Sequence, residues 1–300
     1  MREGSKLGRY VLITPVKNEG KNLPKLIWSI AEQTIKPLAW VIVDDGSTDN
    51  THEILKEVKE RYGWIQSIRL NSDSKKRNLG LHLSHVIKRG FDFAIDYCKK
   101  NGIDYDYLGN VDGDLTLEHT FFENLIKEFE NEPELGIASG GTNHIIGDTI
   151  IHAGLWEDEP SGGHMLIRRR CFEDCEGIPL TYAWDGVLKV KARLRRWRTK
   201  RFEDNIATEI RDVGSAEGYW KGFVHRGKAS HYLNLHPIHV ISRGIKYSFR
   251  RPWYGGIPYL AGYLSSAIMR EKQVDDNEVK EYFWNKWKNI YKQCLFWRRQ

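Results

Sequence analysis

Two rhythms alternate along the first half of the chain. Tyr10-Val-Leu-Ile-Thr14, Trp40-Val-Ile-Val43 and Tyr107 to Val111 are short apolar runs, the pattern of buried strands, and a further strand is expected near Ile65 to Leu70. Pro15 is expected to end the first. Between them apolar residues recur at helical spacing: Leu23, Leu26, Ile27, Ile30 and Ala31; then Ile54, Leu55, Val58 and Tyr62; then Leu83, Ile87, Phe91, Ala94, Ile95 and Cys98. Strand and helix in alternation mean right-handed crossovers and a mainly parallel sheet, an α/β fold. The second half is less regular. Phe121, Phe122, Leu125, Ile126 and Phe129 predict a helix, Ile137, His144 to Ile151 and His164 to Ile167 predict strands, and Val187, Val190 and Leu194 predict a helix starting just after Trp184-Asp185-Gly186. No internal repeat is visible. A shift near Ser242 marks a basic, aromatic C-terminal appendage, so the expected division is 1–240 and 241–300.

In open α/β sheets ligands bind outside the carboxyl ends of the strands. Those ends here carry Lys17-Asn18-Glu19, Asp44-Asp45 and Asp112-Gly-Asp114. Side chains two apart on an extended segment point the same way, so Asp112 and Asp114 can aim at one point. Two hard carboxylates at a strand end suit Mg²⁺ or Mn²⁺, which takes its remaining ligands from substrate phosphates and water. The same Asp-Gly pair also makes an ordinary turn. No G-x-G-x-x-G and no P-loop follows the first strand, which excludes a glycine cradle for the nucleotide.

Composition narrows the partners. With 40% hydrophobic and 29% charged residues the chain is globular rather than disordered, and its net charge of +6 favours an anionic ligand or surface. Cys98, Cys171, Cys175 and Cys294 are too few and too scattered for a disulfide framework or a zinc site, which fits a reducing compartment. Met1 to Arg9 is short and polar without an apolar signal-peptide core, so the expected location is cytoplasmic.

Five segments in order, Thr14-Pro-Val-Lys-Asn-Glu-Gly20, Val43-Asp-Asp-Gly-Ser-Thr-Asp-Asn-Thr51, Val111-Asp-Gly-Asp114, Gly162-Gly-His-Met-Leu-Ile-Arg-Arg-Arg170 and Tyr182-Ala-Trp-Asp185-Gly186, together resemble a family 2 glycosyltransferase of the GT-A fold. The resemblance covers about residues 8–235. It implies a Rossmann-like nucleotide-diphospho-sugar transferase fold, with a nucleotide-binding half (1–116) and an acceptor half (117–240). It also implies metal-dependent transfer from a nucleotide-diphosphate sugar, with a UDP-sugar favoured over a GDP-sugar, to a saccharide or lipid-linked acceptor in glycan or polysaccharide assembly. By this resemblance Asp185 is the general base of an inverting displacement, and Asp112 and Asp114 hold the metal. Asp45 and Asp44 meet the nucleotide base, Pro15, Asn18 and Glu19 frame base and ribose, and Arg77 lies beside the nucleotide with Asp112. Asp185 also fits an ordinary helix cap, as does Asp49, and Arg77 a solvated basic turn. The segment Trp220 to Lys228 is expected to be a glycine-hinged loop bringing Arg226 or Lys228 to the diphosphate, with His225 a third metal ligand or a packing residue. One departure stands out: Asp174-Cys-Glu-Gly177 replaces the family's usual Gly-Gly-Phe ending.

Three other features point elsewhere. Between Arg251 and Arg270 no charge occurs, yet Pro252, Pro258 and several glycines and serines interrupt the stretch. Its Trp253, Tyr254, Tyr259 and Tyr263 are side chains of the membrane interface, so 252–268 either packs on the protein or lies in a membrane surface as a peripheral contact. The basic run Lys189 to Arg201 raises a nucleic-acid-binding alternative, but no recognised module surrounds it and no nucleic-acid partner is expected. Val111-Asp-Gly-Asp-Leu-Thr116 also fits the D-x-D-x-T motif of haloacid dehalogenase-type phosphatases, in which the motif follows the first strand of the core instead of the fourth.

Overall fold

The computed structural model describes residues 8–71, 80–146, 149–152, 157–210, 218–249 and 253–297. The chain divides into two compact units, the first made of Met1–Leu180 and Trp184–Val213, the second of Thr181–Ala183 and Gly214–Gln300.

The first unit opens with the alternation expected: β1 (Tyr10–Val16), α1 (Leu23–Ala31), β2 (Ala39–Asp44), α2 (Thr51–Arg61), β3 (Ile65–Arg69), α3 (Leu81–Lys100) and β4 (Tyr107–Val111). It continues through β5 (Leu115–Leu117), α4 (Phe121–Asn131), β6 (Leu135–Ile146), β7 (Thr149–His152), β8 (His164–Arg168), α5 (Arg169–Asp174), α6 (Trp184–Leu194) and β9 (Arg198–Glu209). The strands form one sheet in the order β3-β2-β1-β4-β8-β6-β9-β5, with β7 on β6 off that path. The first four strands pair in parallel, as expected from their crossovers. Beyond β4 the sheet becomes mixed: β8 runs antiparallel to β4 and β6, while β9 is parallel to β6 and antiparallel to β5. β1, β2 and β4 are buried along their whole length, and the apolar faces of the helices close over both sides of the sheet.

Pro15 does not end β1. Val16 O accepts from Asp45 N, so even-numbered residues of β1 face β2 and Pro15 faces the β4 side. There the ladder has already stopped at Ile13↔Asn110, and the missing N–H costs no hydrogen bond.

The second unit is helical: α7 (Gly218–Tyr232), α8 (Pro237–Ser248), α9 (Gly256–Ile268) and α10 (Asn277–Trp297). The expected glycine-hinged loop at Trp220 to Lys228 is instead part of α7. A Cβ on Gly227 would meet Tyr259 O at 2.0 Å, and one on Gly262 would meet Val224 O at 2.2 Å. These glycines let α7 and α9 cross backbone to backbone; they are contact residues, not hinges.

Candidate functional site

At the carboxyl ends of β1 and β2 two loops are laced together. Asn18 takes a left-handed backbone (φ 55°), which asparagine tolerates better than most side chains. Its N–H donates to Ser47 Oγ at 2.9 Å, and its Oδ1 accepts from Thr48 N at 2.8 Å. Glu19 is buried, its N–H donating to Thr51 Oγ1 at 3.0 Å and its carboxylate accepting from Asn22 Nδ2 at 2.8 Å. Asp49 binds the amides of Gly20 and Thr51. Burial opposes its ionised form, but the Thr51 hydroxyl and these amides outweigh that and hold its carboxyl below the ordinary value. Asp49 thus serves the loop and the start of α2.

Asp44 and Asp45 are held from opposite sides. Asp44 Oδ1 accepts from Ser47 N at 2.8 Å, and its Oδ2 lies 3.5 Å from Arg69 Nη1. Asp45 Oδ2 meets the buried Lys17 Nζ at 3.3 Å, and Oδ1 meets His82 Nε2 at 2.8 Å. Lys17 was visible as part of the first strand-end segment, but His82, on the first turn of α3, gave no signal in sequence.

The D-x-D segment and Asp185 meet across one turn. Asp112 N donates to Gly163 O at 2.7 Å, and the buried Asn110 donates through Nδ2 to Gly162 O at 2.7 Å and to Asp112 Oδ1 at 3.3 Å. A Cβ on Gly163 would lie 2.9 Å from Asp112 Oδ2; one on Gly162 would lie 2.8 Å from Asp185 Cβ and 3.0 Å from its Oδ2. Two glycines in succession therefore let both carboxylates close on the same backbone turn. Gly113 sits against Val16 and Glu19, joining this region to the end of β1.

Asp185 stands in the first turn of α6 beside the buried Trp184, which packs into the core. Its Oδ2 accepts from Lys189 Nζ at 3.1 Å, one helical turn on. Lys189 is itself buried, donates to Pro160 O at 2.9 Å and lies 3.7 Å from Glu159. The i, i+4 spacing of Asp185 and Lys189 was legible in the sequence, where Lys189 was counted only as the start of a basic run. Much of that run is paired with acidic side chains of the same unit. Arg193 pairs with Glu159, Arg198 and Lys200 with Glu132, and the buried Arg201 with Glu203.

Arg77 lies outside the described residues. His225 Nδ1 meets Tyr182 OH at 2.9 Å, Arg226 stacks over Phe223, and Lys228 lies 3.5 Å from Glu271, all within the second unit. Among the described residues no group of three or more His, Cys, Asp or Glu is arranged to hold a metal. The donor set at the D-x-D segment is two carboxylates, hard oxygen ligands of the kind that Mg²⁺ and Mn²⁺ take when a diphosphate and water complete the shell.

The model of the family described as "Glycosyl transferase family 2" matches residues 11–183. The chain is 30% identical over 198 residues to the glycosyltransferase GlyA of Streptococcus pneumoniae, covering 61% of this chain and 25% of that protein. It is 25% identical over 147 residues to the 4,4'-diaponeurosporenoate glycosyltransferase of Staphylococcus haemolyticus, covering 48% and 35%. The match thus spans about a third or less of these relatives. Among solved structures, the mannosyltransferase PcManGT from Pyrobaculum calidifontis, in complex with GDP-Man and Mn²⁺, superposes with a TM-score of 0.55 at 15% identity over 88% of this chain and 74% of that one. S. aureus TarS 1–349, in complex with UDP-GlcNAc, gives 0.54 at 16% identity over 89% and 93%. At this identity the two share the fold, which is GT-A.

Proposed function

The chain belongs to glycosyl transferase family 2, and from that premise we propose that it is an inverting transferase that moves a sugar from a nucleotide diphosphate to a saccharide or lipid-linked hydroxyl, with Asp185 as general base. The observation that carries this is the Gly162-Gly163 turn, against which Asp112 and Asp185 both close. A displacement needs the leaving diphosphate and the incoming hydroxyl on opposite faces of one sugar, so the groups serving each must be close but separate.

The donor half is assigned to 1–116 and the acceptor half to 117–240. Asp44, Asp45, Pro15, Asn18 and Glu19 form the nucleotide side, and Asp112 reaches the diphosphate. Lys17 and His82 fix Asp45, and Asn110 fixes Asp112. Asp112 and Asp114 would hold Mg²⁺ or Mn²⁺, which when bound neutralises charge on the departing diphosphate. The nucleotide sugars carried by the structural relatives support a donor of this class, UDP- or GDP-linked. In the transfer itself Asp185 takes the proton of the acceptor hydroxyl as that oxygen bonds to the anomeric carbon, and the bond from that carbon to the diphosphate oxygen breaks. Lys189 aims Asp185 through Oδ2.

A phosphatase of the D-x-D-x-T kind does not fit the family, and Thr116 lies in β5, its hydroxyl 3.5 Å from Thr208 O. The test is release of nucleoside diphosphate from UDP- and GDP-sugars with Mn²⁺ and a panel of glycoside acceptors. Asp185→Asn should lower kcat about 10²–10⁴-fold while donor KM stays within a few fold. An Asp185→Asn enzyme as fast as wild type, or a product of retained anomeric configuration by NMR, would overturn the assignment.

A further inference from the structure

The second unit carries an apolar surface that its own packing does not use. On α8, Ile238, Ile241, Ile245 and Phe249 recur on one face and are exposed, Phe249 by 75%. On α9, Ile257, Leu264 and Ile268 do the same, Ile268 by 81%. The two helices form an antiparallel hairpin: Gly256 abuts Gly244 and Ser248, and Gly244 abuts Leu260. At roughly 100° per residue, each stripe is turned by about a quarter to a third of a revolution, in the same helical sense, from that contact line. In an antiparallel pair equal turns of the same sense bring both stripes to the same side. At the connected end of the hairpin stand Trp253 and Tyr254, also exposed.

The charge around this surface identifies what it meets. Residues 237–272, the two helices with the segments that join and follow them, hold six Lys and Arg against one Glu, a net +5 in a chain whose total is +6. Lys246 on α8 is exposed beside the stripe, and Arg270 and Lys272 follow α9. No helix among the described residues is long and apolar enough to cross a membrane. Exposed isoleucines flanked by cations and interfacial aromatics, on helices of 12 and 13 residues that are too short to span, are the chemistry of a segment lying in a lipid headgroup layer.

We propose that the α8–α9 hairpin docks the protein onto an anionic lipid bilayer, with Ile241, Ile245, Phe249, Leu264 and Ile268 entering the acyl boundary and the cations meeting headgroups. This stands apart from the transferase assignment, because neither nucleotide nor acceptor takes part.

The test is co-sedimentation of the full chain with vesicles of phosphatidylcholine alone or with 30% phosphatidylglycerol, at low and high salt, alongside light scattering without lipid. The expected result is pelleting with the anionic vesicles only, weakened by salt. Ile241→Ser/Ile245→Ser/Phe249→Ser, at exposed positions that leave the circular dichroism unchanged, should lower the partition coefficient by about tenfold or more. Lys246→Glu/Arg270→Glu should lower it by about fivefold per charge removed. Wild type that stays in the supernatant with both vesicles overturns the proposal. So does pelleting that the triple variant retains, or a dimer in light scattering that the triple variant dissolves, which would show the stripe to cover a second copy.

Discussion

Asp112 and Asp185 owe their proximity to residues with no side chain. Gly162→Ala places a methyl 2.8 Å from Asp185 Cβ, and Gly163→Ala places one 2.9 Å from Asp112 Oδ2. The two substitutions should therefore separate kinetically. The first is expected to lower kcat about tenfold or more with donor KM little changed; the second should raise the donor and metal requirement instead. Steady-state kinetics on both variants checks this, and identical effects would contradict the division of labour. Lys189→Met should cut kcat through lost aim of Asp185, and Lys189→Arg should restore part of it. His164 is a different case. It is fully buried, held to Thr142 Oγ1 at 2.8 Å, and burial, with Arg201 nearby, pushes its pKa from 6.5 down to about 3. Its folded-state value is depressed, so the unfolded chain binds the extra proton. The neutral histidine's contribution is complete above pH 6.5 and is lost as pH falls toward 3, at up to about 1.4 kcal/mol per pH unit. His164→Gln keeps a hydrogen-bonding group for Thr142 without titrating, so its Tm should fall less between pH 7 and pH 5 than that of wild type. The carboxylates of the candidate site at Asp44, Asp45, Asp112 and Asp114 stood out because they follow predicted strands, whereas Asp185 was singled out by the family resemblance alone. His82, Asn110 and the buried state of Lys189 were not, because tertiary contacts decide them.

At the scale of elements, the first four strands and three helices follow from their periodicity. Burial on both faces made β1, β2 and β4 mainly apolar runs, β3 is only partly buried and carries polar residues, and the crossovers made all four parallel. In the second half the expected strands near Ile137, His144 to Ile151 and His164 to Ile167 are β6, β7 and β8, while β5 and β9 stayed hidden for physical reasons. β9 begins inside a basic run, since Arg198 and Lys200 pair with Glu132 at the end of α4 and Arg201 pairs with Glu203 on β9 itself; charge masked a strand. β5, three residues long, has too few positions to show a period. In the second unit Gly222 and Gly227 suggested a hinge, whereas the Gly227 and Gly262 contacts make a close helix crossing. Gly227→Ala should overpack that crossing, at about 1–3 kcal/mol. Thermal unfolding would show this as a lower Tm, and an unchanged Tm would mean the crossing is looser than its glycines imply.

The molecule as a whole separates two kinds of surface chemistry along its chain. Residues 237–272 carry a net +5 in a chain whose total is +6, so the anionic partner suggested by composition has two claimants: a nucleotide diphosphate at the strand ends and a lipid surface on the hairpin. Composition gave the sign of the charge but could not assign it, because a sum holds no positions. The proposed nucleotide site depends on Asp112 and Asp114. It is tested most directly by calorimetric titration of the full chain with UDP and with GDP, each with and without Mn²⁺, on wild type and on Asp112→Ala/Asp114→Ala. The expected result is one nucleotide binding only when Mn²⁺ is present, with binding lost in the double variant. Binding of neither nucleotide, or metal-independent binding that survives the double substitution, would contradict it.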